Sequence, residues 1–308
     1  MKIQENISLK DKNWFKIGGN SKFFCEPQNE KNFQEAIEFA NQNNLEIFVL
    51  GQGANILISD DGFDGLTIKP KLKNICIDKK LITTQAGVQI QDLIDFCLDN
   101  NLVGLEEFSC IPGTIGGSVF INIHYLDYFL SDFLVSAKVI NKKSVEIKMV
   151  DKSWFNFGYD QSKLQNKEHF LVSATFELKK VDDIKTAYSK GRRDEIIRHR
   201  QRRYPTSNTC GSFFRNFHED EIPFKINGKK ITAVAYYLDK LGIKGELRVG
   251  NAIVSSKHAN MLETLPNATS CDVINLAKEM QDLIQKKYGI LPKTECQLIG
   301  FKNDPLNN

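Results

Sequence analysis

No CxxC pair, no HxH or HxxxH spacing and no apolar run near the roughly 18 residues of a membrane-spanning helix occurs in the 308 residues. The seven cysteines (Cys25, Cys76, Cys97, Cys110, Cys210, Cys271 and Cys296) are an odd number and widely scattered. That excludes a disulfide framework and a zinc site and predicts reduced thiols with mostly structural roles. The five histidines give no ligand pattern either, so no metal is expected. Net charge is nearly absent: 41 Lys and Arg against 38 Asp and Glu leave +3. A surface devoted as a whole to nucleic acid or anionic lipid is thereby excluded. Residues 1–16 lack the apolar stretch of a signal peptide, which predicts a cytoplasmic protein. What remains is an ordinary globular composition, 41% apolar and 26% charged, at a length that suggests two domains.

Phe33, Ala36, Ile37 and Ala40 recur at i, i+3, i+4 and i+7, predicting a helix over about 31–43 with one apolar stripe. Short strands follow at 46–50, 56–59 and 66–69, and with the helix they predict a small αβ unit that closes before Pro70. The first two are joined by Gly51-Gln52-Gly53-Ala54-Asn55. From residue 74 the pattern changes to short β runs and a helix with Ile90, Leu93, Ile94 and Cys97 on one face, then strands near 135–141, 144–150 and 169–178. This second subdomain contains another glycine-rich loop, Ile111-Pro112-Gly113-Thr114-Ile115-Gly116-Gly117-Ser118. A further amphipathic helix is predicted over 272–287, with Thr269 and Asp272 spaced as a capping box. Residues 190–203 (KGRRDEIIRHRQRR) hold seven basic residues against two acids, the one dense basic patch, on a helix that Pro205 should end.

Glycine lets backbone N–H groups approach a phosphate where a Cβ would clash, so two such loops hint at a phosphate-bearing ligand; either loop alone reads more readily as a tight turn. Neither has the ending of a P-loop, and Gly51-x-Gly53 lacks the third glycine and following helix of the dinucleotide fingerprint.

Taken in order, Asn13-Trp14-Phe15-Lys16-Ile17-Gly18-Gly19, Val49 to Ile58, Gly104-Leu105-Glu106 and Ile111 to Gly117 resemble the UDP-N-acetylenolpyruvoylglucosamine reductase family. The likeness continues at Gly211-Ser212-Phe213-Phe214-Arg215-Asn216, at Val254-Ser255-Ser256-Lys257-His258-Ala259-Asn260 and from Tyr288-Gly289-Ile290 through Glu295 to Ile299-Gly300. It spans about residues 13–300. The resemblance implies an α+β protein: a two-part FAD-binding fold of the vanillyl-alcohol-oxidase (PCMH) type over residues 1–183, with subdomains of about 1–70 and 71–183. A smaller α+β substrate domain would follow over 184–308, its last strand returning to the body. It implies FAD as cofactor and NADPH as co-substrate in bacterial peptidoglycan synthesis. Gly51, Gln52, Gly53, Ala54, Asn55 and Ile56, with Pro112, Gly113, Thr114, Gly116, Gly117 and Asn122, would hold the cofactor.

In that family, hydride reaches C3 of an enolpyruvyl ether and charge develops on the carboxylate side at C2. Ser212 matches the group that protonates C2. Glu295 matches a second catalytic position in the terminal segment. Tyr159, Arg203 and Asn216 match positions that meet the sugar nucleotide. One departure bears on the chemistry. Asp160, in Tyr159-Asp160-Gln161-Ser162, stands where the family has an arginine that stabilises the carboxylate, and an acid repels what a cation attracts. Arg192, Arg193 or Arg215 could substitute, the match could be locally shifted, or the activity could be weakened. Milder departures are Ala54 in place of serine and Asn122-Ile123-His124-Tyr125 in place of Asn-Ala-Gly, which makes His124 and Tyr125 candidates for ring or substrate contacts.

The resulting reading is a monomeric cytoplasmic flavoenzyme that takes a UDP-sugar and NADPH, with neither nucleic acid nor membrane as partner. Its rivals are an FAD-binding relative with altered or lost activity and a non-enzymatic nucleotide- or RNA-binding protein using residues 190–203.

Overall fold

The computed structural model describes residues 1–306. Two compact units account for the chain: one built from Met1–Asn6, Lys22–Gln52 and Asp64–Arg200, the other from Ile7–Ser21, Gly53–Phe63 and the chain from Gln201 on.

In the first unit, helix α1 (Glu30–Gln42) starts where Asn29 accepts from the Asn32 amide at 2.8 Å, satisfying one of the otherwise unpaired N–H groups of its first turn. Its stripe of Phe33, Ala36, Ile37 and Ala40 is fully buried against Ile47, Leu66 and Ile68. Residues 46–49 and 63–68 pair in parallel, Glu46 opposite Gly65 through Val49 opposite Ile68, a connection that needs an intervening crossover. Beyond it lies an antiparallel five-stranded sheet, in the order 147–151, 134–141, 169–177, 81–85, 75–78. Helices α2 (Ile90–Asp99) and α3 (Ile115–Ile121) cover it, burying Leu93, Ile94, Cys97, Ile115 and Val119 with Ala137, Val139, Ala174 and Phe176. Helix α4 (Asp183–Arg203) buries only Thr186 and Ile196, as its charge density predicts.

In the second unit, α5 (Val234–Lys240) and α6 (Ser270–Tyr288) pack with the small sheet 248–249, 252–254, 262–264 around Phe213, Phe214, Tyr237, Leu276 and Met280. Phe15, Ile17 and Leu57 complete this core from far upstream. The strand Ile56–Ile58 does not join the 46–49 and 63–68 pair, as the small αβ unit required. It runs parallel to Gln297–Ile299, with Leu57 opposite Leu298. All three of its residues are buried, as in a parallel strand covered on both faces, and its hydrogen-bonding edge is taken by Gln297–Ile299.

The capping box of α6 is formed: Thr269 Oγ1 accepts from the Asp272 amide at 3.1 Å and Asp272 Oδ2 from the Thr269 amide at 3.0 Å. Thr269→Ala should therefore lower stability by about 1 kcal/mol in chemical denaturation, and Thr269→Ser should retain most of it.

Candidate active site

Gly51 lies against Thr114 in the first unit: a Cβ on Gly51 would sit 2.7 Å from Thr114 Oγ1. That approach brings the end of the 46–49 strand to the second glycine-rich loop. The loop is moored by its own backbone, with Ile115 N donating to Val88 O and Gly116 N to Ala86 O, both at 2.8 Å, while Thr114 Oγ1 accepts from Gly117 N at 3.3 Å. The amides of Gly51, Gln52 and Gly113 have no protein partner among the described residues. Gln52 reaches back to the Gln89 side chain. Pro112 and Thr114 are half-buried beside them. Asn122 ends α3 in the left-handed conformation (φ 51°), and its amide is spent internally: Nδ2 donates to Gly158 O and Oδ1 accepts from Ser131 N, both at 3.0 Å.

The rest of the first loop belongs to the second unit. Gly53 (φ 69°) crosses so close to the N-terminal segment that a Cβ would meet Asn13 Cα and Lys12 O at 2.6 Å, and its carbonyl accepts from Trp14 N. Ala54 and Asn55 are half-buried, and Ile56 is buried in its strand. Both polar atoms of the Asn55 side chain are shut away from solvent with no hydrogen-bond partner. Such a group costs stability unless a ligand completes it. Within the first unit, the partnerless loop amides and the close approach at Gly51 are donors of the kind a diphosphate accepts from.

Ser212 and Glu295 are both half-buried, and the second unit lays them on adjoining segments. Residues 211–216 run between 260–261 and 293–296: Ser212 bridges Met261, Phe214 bridges Thr294, and Phe213 O accepts from both Glu295 N (2.9 Å) and Cys296 N (3.3 Å). Asn260 fixes the register by holding Phe214 at both ends, Nδ2 donating to its carbonyl at 2.7 Å and Oδ1 accepting from its amide at 3.1 Å. Sequence reasoning placed Asn260 in a motif without giving it this task. Asn216 Oδ1 accepts from Val234 N, the first amide of α5, at 3.3 Å. Arg203 is exposed at the end of α4.

None of the three arginines offered as replacements is available. Arg192 forks onto Glu107 at 2.9 and 3.0 Å and adds Glu195, and Arg193 forks onto Asp95 at 2.8 Å. Arg215 forks onto Glu221 at 2.8 and 2.7 Å. Each guanidinium is committed to a carboxylate set opposite it. Arg215 and its hydrogen bonds hold the Glu221 carboxyl far below the usual carboxylate range. Asp160 sits at φ 51° with Oδ1 3.3 Å from His124 Nδ1, and the Tyr159 ring lies 4.4 Å from the imidazole.

Residues 21–148 match the family model of the FAD binding domain, which sets the class: an FAD-binding α+β protein of the PCMH type. Residues 203–299 match the UDP-N-acetylenolpyruvoylglucosamine reductase C-terminal domain. The reductase of Prochlorococcus marinus is 32% identical, over 98% of this chain and 99% of its own length. Reductase 2 of Bacillus thuringiensis is 30% identical over 97% and 93%. The chain belongs to the UDP-N-acetylenolpyruvoylglucosamine reductase family, whose members are FAD-dependent oxidoreductases. The crystal structure of the Thermus caldophilus reductase shares the fold, with a TM-score of 0.79 over 97% of this chain and 99% of that one at 23% identity. No helix among the described residues is long and apolar enough to cross a membrane.

Gly51→Ala must push Thr114 aside, and overpacking of this kind costs about 1–3 kcal/mol. We expect FAD affinity, measured by fluorescence on flavin release, to fall roughly 10- to 100-fold. Burial, aided by the charges of Arg203 and Lys244, pushes the His258 imidazole from 6.5 down to about 4. Between those values the unfolded chain binds the proton and the folded one does not. Stability is therefore full above pH 6.5 and falls as pH drops toward 4, by on the order of 3 kcal/mol at most. His258→Gln should remove that part of the slope in denaturant titrations across pH.

Proposed function

We propose that this chain reduces UDP-N-acetylglucosamine enolpyruvate to UDP-N-acetylmuramate, using NADPH, in peptidoglycan synthesis. The observation that carries the reading is the joining of Ser212 and Glu295, far apart in sequence, on either side of the Phe213 carbonyl. Gly51 to Ile56 and Pro112 to Gly117 are assigned to FAD, with Asn122 setting the shape of the second loop from its far end. When bound, FAD carries two electrons from NADPH to the enolpyruvyl double bond. Ser212 holds the proton that C2 of the substrate takes up once hydride at C3 has left an electron pair on C2 and its carboxylate. Glu295 is assigned the second catalytic position, a reading supported by the hydrogen bond from its amide to Phe213 O, which holds its backbone beside Ser212. Arg203, Asn216 and Tyr159 are assigned to the UDP-sugar, whose phosphates call for cationic and amide donors.

The domain division is part of the proposal: residues 1–183 serve the cofactor and 184–308 the substrate. With its cysteines free and nucleotide substrates, we place the protein in the cytoplasm, acting as a monomer without nucleic acid or membrane partners. In the basic segment 190–203, ion pairs of Lys190, Arg192 and Arg193 with Asp99, Glu107 and Asp95 take three of the seven cations away from an RNA-binding reading.

Stopped-flow measurement of the two half-reactions tests the assignment. Ser212→Ala should keep FAD and its reduction by NADPH, while reoxidation by the enolpyruvyl substrate slows roughly 10²- to 10⁴-fold. Unchanged reoxidation would remove Ser212 from the mechanism.

A further inference from the structure

Adding hydride to C3 of an enolpyruvyl ether leaves an electron pair at C2 that spreads into the adjoining carboxylate, and a donor fixed beforehand toward that anion lowers the barrier most. Asp160 is the wrong sign for the task, and Arg192, Arg193 and Arg215 are committed elsewhere. His124 is different. Its Nδ1 lies 3.3 Å from Asp160 Oδ1, yet the two are not aligned as a hydrogen bond: Nδ1 and Asp160 Oδ2 are both shut from solvent without a hydrogen-bond partner. The other ring nitrogen, Nε2, has no partner among the described residues.

The pair is held stiffly. Phe129 stacks on the imidazole at 5.4 Å and 30°, its strand residue pairing with His124, and Tyr159 lies at 4.4 Å and 45°. The Asp160 turn is tied to the end of α3 through Asn122 Nδ2 to Gly158 O and Ser162 Oγ to Phe120 O, at 3.0 and 2.6 Å, while Gln165 donates to Asp160 O at 2.8 Å. Next along the chain, Tyr125 OH lies 3.5 Å from His199 Nδ1 and Arg200 sits over the Tyr125 ring, so Arg200 adds positive charge nearby. A carboxylate facing one imidazole nitrogen, with the other left for a ligand, is the arrangement by which enzymes orient a histidine donor, and such contacts tighten when the ligand arrives.

Resting on the function proposed above, we propose that His124 is the hydrogen-bond donor to the substrate carboxylate in this chain, through Nε2–H, and that Asp160 is its positioning residue. The acid at 160 and the histidine at 124 are thus one device: a donor and the group that orients it.

The test uses the FAD-loaded enzyme and its two half-reactions, with equilibrium binding of the enolpyruvyl substrate to the oxidised protein, followed by calorimetry, as a readout apart from turnover. His124→Gln and His124→Ala should keep FAD content and reduction by NADPH, weaken substrate binding, and slow reoxidation by the substrate roughly 10²- to 10³-fold. Added imidazole should restore part of the rate in His124→Ala. Asp160→Asn, which keeps the shape but loses the charge, should give a smaller loss of reoxidation rate that imidazole does not repair. Reoxidation and substrate binding equal to the parent in the His124 variants would overturn the proposal, as would equal losses in both half-reactions. If His124→Ala sheds flavin, His124→Gln and Asp160→Asn decide by the same rule. A parent enzyme that holds FAD but is not reoxidised by the enolpyruvyl substrate would instead overturn the function itself.

Discussion

Backbone meets backbone with no side chain between them where residues 18–20, 59–62 and 299–300 cross. A Cβ on Gly19 would sit 2.3 Å from Asp60 O, one on Gly62 2.0 Å from Asn20 O, and one on Gly300 1.9 Å from Gly62 O. Hydrogen bonds run through the gap this leaves: Gly19 N to Ser59 O and Ser59 N to Ile299 O, both at 2.9 Å. Ser270 adds a clasp, its amide and hydroxyl both donating to Asp60 Oδ2 at 2.8 Å. The N-terminal segment, the strand after the first glycine loop and the end of the chain can share one unit because three glycines let them touch. The positions of Gly53, Asn55 and Glu295 follow from that crossing, since each lies a few residues along the chain from it.

Charge is handled by internal pairing. The basic stretch looks like a binding surface when its residues are counted, but α4 spends three of its seven cations on the acids of α2 and of the turn at 106–107. Lys190 meets Asp99, Arg192 forks onto Glu107, and Arg193 forks onto Asp95 while also reaching Gln91 and Ser109. Planar forks of this kind fix direction as well as distance. They clamp a helix with only two buried side chains, Thr186 and Ile196, which apolar burial alone could not anchor.

Local periodicity was legible. The stripe of α1, the face of α2 and the cap of α6 follow from spacing within one turn or two, and each is found where the spacing put it. The ordered motifs carried the family and its cofactor. Long-range pairing was not legible, because an apolar run of three residues such as Ile56–Ile58 says that it is buried and not which strand lies beside it. For the same reason Arg192, Arg193 and Arg215 looked available. Their partners Glu107, Asp95 and Glu221 are ordinary acids until the fold sets them opposite. His124 and Asp160 were each noticed as departures, but only the turn beside α3 makes them a pair.

The parallel pairing of Ile56–Ile58 with Gln297–Ile299 has a kinetic consequence for synthesis. A ribosome delivers the first of these strands long before the second, so the nascent chain carries a wholly apolar, unpaired strand edge while more than two hundred residues are still to be made. Antiparallel neighbours such as 75–78 and 81–85 can zip as they emerge, whereas this contact has to wait for the last turn of the chain. Closure over so long a loop makes the second unit the slow one to fold and its early strand the segment most in need of shelter by chaperones.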